Sequence, residues 1–297
     1  MGDARTVLDK LGTAQKVEPS RQSSALDLSF RPSPSNAPLN RLTPEEVRHY
    51  NREGYVAPFK VFAPDEVLSV RAYVDRLMKD AGEGGAYGIN CYQARLAGLW
   101  DIATNQRILD LVEDVVGPNI ICWATAVLSK RAGDPKRVPW HQDASFWQLS
   151  PARTTTVWLA IDDADETNAA MQFIPRTHDR GAIETRHSEG ASVFHKETAG
   201  AEALGRPIVN ALGAGQVSLH ADMLVHGSPP NTSAKRRCGL TLRYCPPEVR
   251  ILDPAWAHGV EAIICRGSDP SGRWTHHSRP GNDDIRVTTS PHVVGNN

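Results

Sequence analysis

Apolar residues recur along this chain in two rhythms, and the change from one to the other falls near residue 119. Before it the rhythm is helical. In LTPEEVRHYNREGYV, Thr43 stands ahead of Pro44 and two glutamates, which predicts a helix capped by the threonine hydroxyl with negative charge in its first turn. In FAPDEVLSVRAYVDRLMKDAG, Val67, Val70, Val74 and Leu77 share one helical face and Gly82 ends the run. NQRILDLVEDVVG predicts a third, shorter helix. Beyond residue 119 the apolar runs shorten to IICWATAVLSKR, TTTVWLAIDDA, AMQFIP, GQVSLHADMLVHG and CGLTLRYC. They are rich in β-branched and aromatic residues and bounded by Gly, Pro, Asn or Asp, so they read as strands. The expected class is mainly β with flanking helices, a sandwich or jelly roll with its N-terminal helices packed outside.

The same pattern sets provisional boundaries. Residues 1–40, rich in Ser, Pro, Asn and Gln, read as a flexible N-terminal arm. Residues 41–297 read as a single domain, with a helical part at about 41–118, a β core at about 119–250 and a C-terminal extension at 251–297. Residues 178–211 are polar and weakly periodic, which suggests a lid-like insertion over the mouth of a barrel.

Composition excludes more than it assigns. A formal net charge of -1 with no basic block argues against nucleic acid and anionic membranes as partners. Five cysteines without CxxC spacing argue against a zinc knuckle or a disulfide framework and read as reduced thiols. No signal peptide and no run of eighteen apolar residues is visible, so a cytoplasmic location is expected; the partial myristoylation pattern MGDART is too short to change that. Oligomeric state is left open.

Candidate chemistry begins at VPWHQDASFW, residues 138–147. A His beside an Asp is ordinarily a hydrogen-bonded pair. On an extended backbone, however, His141 and Asp143 share a face while Gln142 points away, so an imidazole and a carboxylate converge. A third candidate is His226, at the end of the strand predicted over GQVSLHADMLVHG. Two histidines and one carboxylate on a β scaffold suit non-haem Fe(II), which needs open positions; zinc is the competing metal, but no HExxH helix supplies the usual glutamate base.

These residues resemble the phytanoyl-CoA dioxygenase family of Fe(II)- and 2-oxoglutarate-dependent oxygenases. The resemblance covers roughly residues 42–250 and rests on WHQD, on TVWLAIDDADETNAAMQFIPRTH and on HGSPPNTSAKRRCGLTLRY. It implies a double-stranded β-helix, cupin-like, with N-terminal helices. It also implies metal ligation by His141, Asp143 and His226, a 2-oxoglutarate anchor at Arg237, a hydroxyl from Ser228, and cosubstrate contacts from Gln142 and Trp158. Chemistry agrees on the anchor, since the far carboxylate of 2-oxoglutarate needs a partner away from the metal and a guanidinium offers a bidentate fork. A hairpin from His226 through SPPNTSAKR is expected to bring Arg237 back beside the metal strand, with Arg236 facing the other way. Two departures stand out: the family's Glu-Asn-Gly reads Thr167-Asn168-Ala169, and its Gly-Ser before a histidine reads Arg176-Thr177-His178, where the arginine is expected to make the pocket more basic. Asp143 itself is kept, which favours hydroxylation over halogenation.

Other residues have two readings. His220 reads as a structural strand residue, and His178, His187, His195, His276 and His277 as solvated. Tyr92, Trp123, Phe146 and Trp147 are either ordinary core or a wall for substrate. Arg266, Arg273 and Arg279 are surface charges or contacts to an anionic group. The function expected is hydroxylation of a small polar or zwitterionic metabolite, of betaine or aminophosphonate type, with O2 as second cosubstrate and with succinate and CO2 released. Desaturation, cyclisation or epimerisation with the same cofactors is the enzymatic alternative. A catalytically silent ligand-binding barrel is the alternative from outside catalysis.

Overall fold

The computed structural model describes residues 26–34, 38–257, 260–283 and 285. The predicted cap at Thr43 opens helix α1 (Pro44–Glu53): Thr43 Oγ1 accepts from the Glu46 amide, the Glu46 carboxylate accepts from the Thr43 amide, and Gly54 closes the helix at φ 86°. Helix α2 (Pro64–Asp80) buries Val74 and Leu77 on the predicted face. Helix α3 (Ala97–Ala103) has no counterpart in the sequence reading, and α4 (Gln106–Val116) follows it behind an Asn105 cap.

The strands are β1 (Tyr55–Lys60), β2 (Ile120–Lys130), β3 (Val138–His141), β4 (Leu149–Ser150), β5 (Thr155–Ala160), β6 (Gln172–Phe173), β7 (Thr185–His187), β8 (Lys196–Thr198), β9 (Ile208–Val209), β10 (Gln216–Ala221), β11 (His226–Ser228), β12 (Arg237–Cys245), β13 (Arg250–Ile251) and β14 (Ile263–Arg266). They form a six-stranded antiparallel sheet in the order β1-β10-β5-β12-β2-β14 and a four-stranded antiparallel sheet in the order β3-β11-β6-β9, with two further pairs, β13-β4 and β7-β8.

Period-two alternation divides the larger sheet cleanly. Val157 and Leu159 of β5, Val217 and Leu219 of β10, and Leu240, Leu242 and Tyr244 of β12 join Tyr50, Leu77, Leu99, Leu109 and Val112 of the helices in the main core. Each such side chain contributes about 1.5–3 kcal/mol by leaving water, so the helices are held on this face by apolar burial. The opposite face turns Thr156, Trp158, His220, Arg237, Thr241 and Arg243 toward the smaller sheet.

Several boundaries differ from expectation. The N-terminal part is not purely helical, because Tyr55–Lys60 forms a strand; its Pro58 hid it, and proline is tolerated there because β1 is an edge strand with a register shift between Val56 and Phe59. The core does not end at residue 250, since β14 from the C-terminal extension pairs with β2 at the other edge. The predicted strand GQVSLHADMLVHG is two strands in two sheets, joined by a turn in which the Leu224 amide donates to Ala221 O. For the same reason β11 and β12 do not make a hairpin within one sheet; the chain crosses between sheets.

The arm is corrected in part. Residues 1–25 and 35–37 lie outside the described residues, but Asp27 O accepts from Ala152 N, Ser33 Oγ donates to Val115 O, and Asp114 accepts from the amides of Asn40, Arg41 and Leu42. Within 178–211, β7 and β8 pair as a hairpin and β9 adds to the smaller sheet, so that stretch is structured. No helix among the described residues is long and apolar enough to cross a membrane.

Candidate active site

A cavity of about 200 Å³ lies between the two sheets. His141 and His226 face it from neighbouring strands of the smaller sheet, where they are register partners, and their ring centroids are 4.1 Å apart. Asp143 stands two residues beyond the end of β3, where Gln142 keeps extended backbone angles before a 3-10 turn over Asp143–Phe146, so the alternation argument holds for this one step. Asp143 Oδ1 lies 3.5 Å from His141 Nε2 and 4.0 Å from His226 Nε2. One donor atom from each of the three residues falls within 4.8 Å of the others.

Both imidazoles are prepared for a cation. His141 Nδ1 lies 2.8 Å from Pro139 O and His226 Nδ1 lies 2.9 Å from Leu224 O; a carbonyl only accepts, so each Nδ1 carries the proton and each Nε2 offers a lone pair. Burial pushes the His226 imidazolium down, and the neighbouring His141 adds to the effect, so His226 is neutral as ligation requires. For Asp143, burial opposes ionisation, but the polar surroundings set by the adjoining His141 and His226 rings and the positive Arg243 guanidinium outweigh it and hold the carboxyl well below the usual range. Thr156 Oγ1 donates to its other oxygen at 3.3 Å.

His220 also faces the cavity, with Nε2 at 4.0 Å from Asp143 Oδ2. Neither of its ring nitrogens has a hydrogen-bond partner among the described residues, and burial pushes its pKa down to about 4. Asp222, two residues further on, lies beyond the end of β10, and its carboxylate accepts from the Thr154 amide.

Arg237 is buried in the same cavity. Its Nη2 donates to Ser228 Oγ at 3.2 Å, Nε donates to Ala169 O at 3.1 Å, and the guanidinium lies 5.7 Å from the Trp158 ring centre. The Trp158 ring lies against β12, where a Cβ on Gly239 would come within 2.1 Å of its Cζ2; only glycine fits there. Arg236 points to the other side and pairs with Asp162 and Asp75.

Four expected site residues or neighbours lie elsewhere. Gln142 is buried, but its amide donates to Gly181 O and Met223 O and accepts from Ile183 N, so it ties loops together behind the site. Tyr92 and Trp123 belong to core clusters and do not line the cavity, whereas Phe146 and Trp147 do. Arg176 pairs with Glu53 outside the cavity and adds no basicity to it. Arg266 is held by Glu113 and Asp110, and Arg279 by Asp101. His178 is not solvated but fully buried, with Nε2 at 3.0 Å from Asn51 O and its ring edge against Phe30; His276 pairs with Asp269, while His187, His195 and His277 are exposed.

The sequence reading passed over Thr156, Thr241 and Arg243, although alternation from Trp158 and Arg237 would have reached all three. It also passed over Tyr87 and Phe194, which lie on segments without periodic signal. Phe194, in the 178–211 stretch, stands 4.9 Å from the His141 ring and 5.5 Å from Phe146. Together these residues offer a cation site with open positions, an anion anchor beside it, and an aromatic wall.

Comparison with known proteins points the same way. The phytanoyl-CoA dioxygenase family model matches residues 50–239. A probable alpha-ketoglutarate-dependent hypophosphite dioxygenase of Stutzerimonas stutzeri is 28% identical over 234 residues, covering 67% of this chain and 77% of that protein. L-proline trans-4-hydroxylase of Streptomyces griseoviridis is 27% identical over 158 residues, covering 46% of this chain and 59% of its own length. Among solved structures, the apo form of the non-heme monooxygenase ThoJ superposes with a TM-score of 0.69 at 24% identity, over 80% of this chain and 90% of that one; at such identity the likeness speaks for the fold.

Proposed function

Since this chain belongs to the phytanoyl-CoA dioxygenase family and is an Fe(II)- and 2-oxoglutarate-dependent oxygenase, we propose that it hydroxylates an unactivated C–H bond of a small polar or zwitterionic metabolite, with His141, Asp143 and His226 as the metal ligands. The observation that carries this reading is the buried trio itself: two imidazoles whose Nδ1–H groups are committed to backbone carbonyls, converging with an ionised carboxylate. The two facing sheets correspond to a double-stranded β-helix.

The donor set suits Fe(II) because two nitrogens and one oxygen leave positions for a bidentate oxoacid and for O2. When bound, iron and 2-oxoglutarate supply the oxidising chemistry: O2 is consumed, the oxoacid becomes succinate and CO2, and one oxygen atom enters the substrate. The rest falls to the protein. Arg237 and the Ser228 hydroxyl hold the far carboxylate of 2-oxoglutarate, and the Trp158 ring packs against the guanidinium and keeps it in place. Thr156 fixes the Asp143 carboxylate so that its other oxygen faces the imidazoles. Phe146, Trp147 and Phe194 wall off the region beside His141 and exclude water there.

The cavity, at about 200 Å³, must hold the cosubstrate and the reacting part of the substrate together, which favours a compact metabolite over a long acyl thioester. Anaerobic addition of Fe(II) and then 2-oxoglutarate should produce the visible absorbance band of the chelate in the native protein and none in His226→Ala. Succinate release under O2 is then followed across a panel of small amino acids, betaines and phosphonates, and product mass is read. Gain of one oxygen atom supports hydroxylation, loss of two hydrogens indicates desaturation or ring closure, and absence of the band in native protein overturns the oxygenase reading of this site.

A further inference from the structure

Among the described residues that line the cavity, Arg243 is a second arginine beside Arg237, and the proposed cofactor contacts do not use it. It stands on β12 three pleats from Arg237 on the same face, opposite Thr156 of β5, whose hydroxyl holds Asp143. Its guanidinium lies 5.0 Å from the Trp147 ring centre and 5.7 Å from that of Trp123, so two indoles keep the plane in position. Its Nε is shielded from water and has no hydrogen-bond partner, and no carboxylate lies within salt-bridge distance of it among the described residues. By contrast Arg236, on the same strand, engages two aspartates.

Charge balance sharpens the point. Fe(II), the Asp143 carboxylate, dianionic 2-oxoglutarate and Arg237 cancel one another. Arg243 is therefore left as an uncompensated cation in a partly buried cavity, a state that is costly unless an anion completes it. Lys136 does not serve as a substitute, since it is exposed at the rim over Tyr87. The same cavity has an apolar wall beside His141, made by Phe146 and Phe194.

Resting on the oxygenase reading above, we propose that Arg243 seats the anionic end of the primary substrate, which is a small organic acid whose apolar body lies along Phe146 and Phe194. The guanidinium takes the acid group as a planar fork while the aromatic wall directs the C–H bonds of the body toward the site of His141 and His226. Arg243 is thus a specificity residue for the carboxylate, separate from the cosubstrate anchor.

The test uses full-length protein loaded anaerobically with Fe(II) and 2-oxoglutarate, and three matched probe pairs: benzoate and benzamide, cyclohexanecarboxylate and its carboxamide, and proline and prolinamide. Binding is read by tryptophan fluorescence, which the Trp147 contact makes sensitive to Arg243. The native protein should bind the acid of at least one pair tenfold or more tighter than its amide. Arg243→Gln should erase that preference by weakening the acid alone, and Arg243→Lys, which keeps charge but not the fork, should retain part of it even if the glutamine variant folds poorly. The chelate absorbance band should persist in both variants with unchanged 2-oxoglutarate titration. Equal binding of acid and amide, no binding of any probe, or an acid preference that survives Arg243→Gln overturns the proposal. So does a variant that loses Fe(II) uptake and keeps the preference, which would make Arg243 a support for Asp143. A missing band in native protein instead removes the oxygenase reading beneath it.

Discussion

His141 on β3 and His226 on β11 are register partners, eighty-five positions apart in sequence and with ring centroids 4.1 Å apart. Because each imidazole is oriented by a carbonyl two residues before it in the chain, Pro139 O on β3 and Leu224 O in the turn ahead of β11, the pair is set by the backbone before any metal arrives. Replacing His226 with Gln should therefore leave folding intact while lowering Fe(II) affinity by roughly 100-fold or more, since removal of even an orienting partner costs 10–100-fold in such sites. Metal titration alongside circular dichroism checks this; unaltered Fe(II) binding would remove His226 from the ligand set.

Arg237 and Arg236 give an internal contrast. Arg237→Gln should raise the Kd for 2-oxoglutarate by about 2–4 kcal/mol, roughly 30- to 800-fold, because the buried far carboxylate loses its charged partner. Arg236→Gln should leave that Kd within about threefold and act on stability instead, through the lost Asp162 and Asp75 pairs. Calorimetric titration of the two variants distinguishes them.

Gly239→Ala places a methyl group where the Trp158 indole lies. Overpacking of this kind costs about 1–3 kcal/mol, and here it should also weaken 2-oxoglutarate binding, since Trp158 supports the Arg237 guanidinium. Loss of stability with cosubstrate affinity intact would show that Trp158 is packing only.

Ala169 and Arg176 occupy the left-handed region, each at φ 65°, at the two positions where the family carries glycine. An alanine there costs about 1–2 kcal/mol relative to glycine, partly offset by glycine's freer unfolded chain. Ala169→Gly should raise Tm by a few degrees, corresponding to about 0.5–1 kcal/mol, with the Ala169 carbonyl still accepting from Arg237. A lower Tm in thermal melts would contradict the strain argument.

Burial holds the His178 imidazolium below its ordinary pKa, although Asn51 O, Asp179 and Glu53 pull the other way. The folded state thus binds fewer protons than the unfolded chain once pH falls toward 6.5, so this group's contribution is full above the unfolded pKa and is lost on acidification through it. His178→Gln should flatten the decline of stability between pH 7 and 5 relative to the native protein. Denaturant melts at several pH values would show parallel declines if the ring is not involved.

Much of the site was legible because its parts are local. The Thr43-Pro44 cap, the Val74 and Leu77 face, the His141-x-Asp143 step and the opposed directions of Arg236 and Arg237 all depend on neighbours within a few residues, where helical and strand periodicities act. Gln142 was misread because alternation says that a side chain faces away but not what waits there; loop 181–183 and Met223 O claimed its amide. His178 was misread because a polar surrounding sequence does not reveal Phe30 and Asn51 closing over it.

Local chemistry in the chain was enough to specify the Thr43 cap, the strands β2, β5 and β12, and the types of side chain proposed to hold a metal and an oxoacid. Tertiary structure alone decided that the chain changes sheets between Ala221 and His226, that β14 returns to pair with β2, and that Phe194 and Arg243 share one cavity with the three candidate ligands. The reason is physical: periodicity is a property of neighbouring residues, whereas strand partners and cavity walls are chosen by which distant apolar faces bury one another best, and that choice leaves no mark within a short window of sequence.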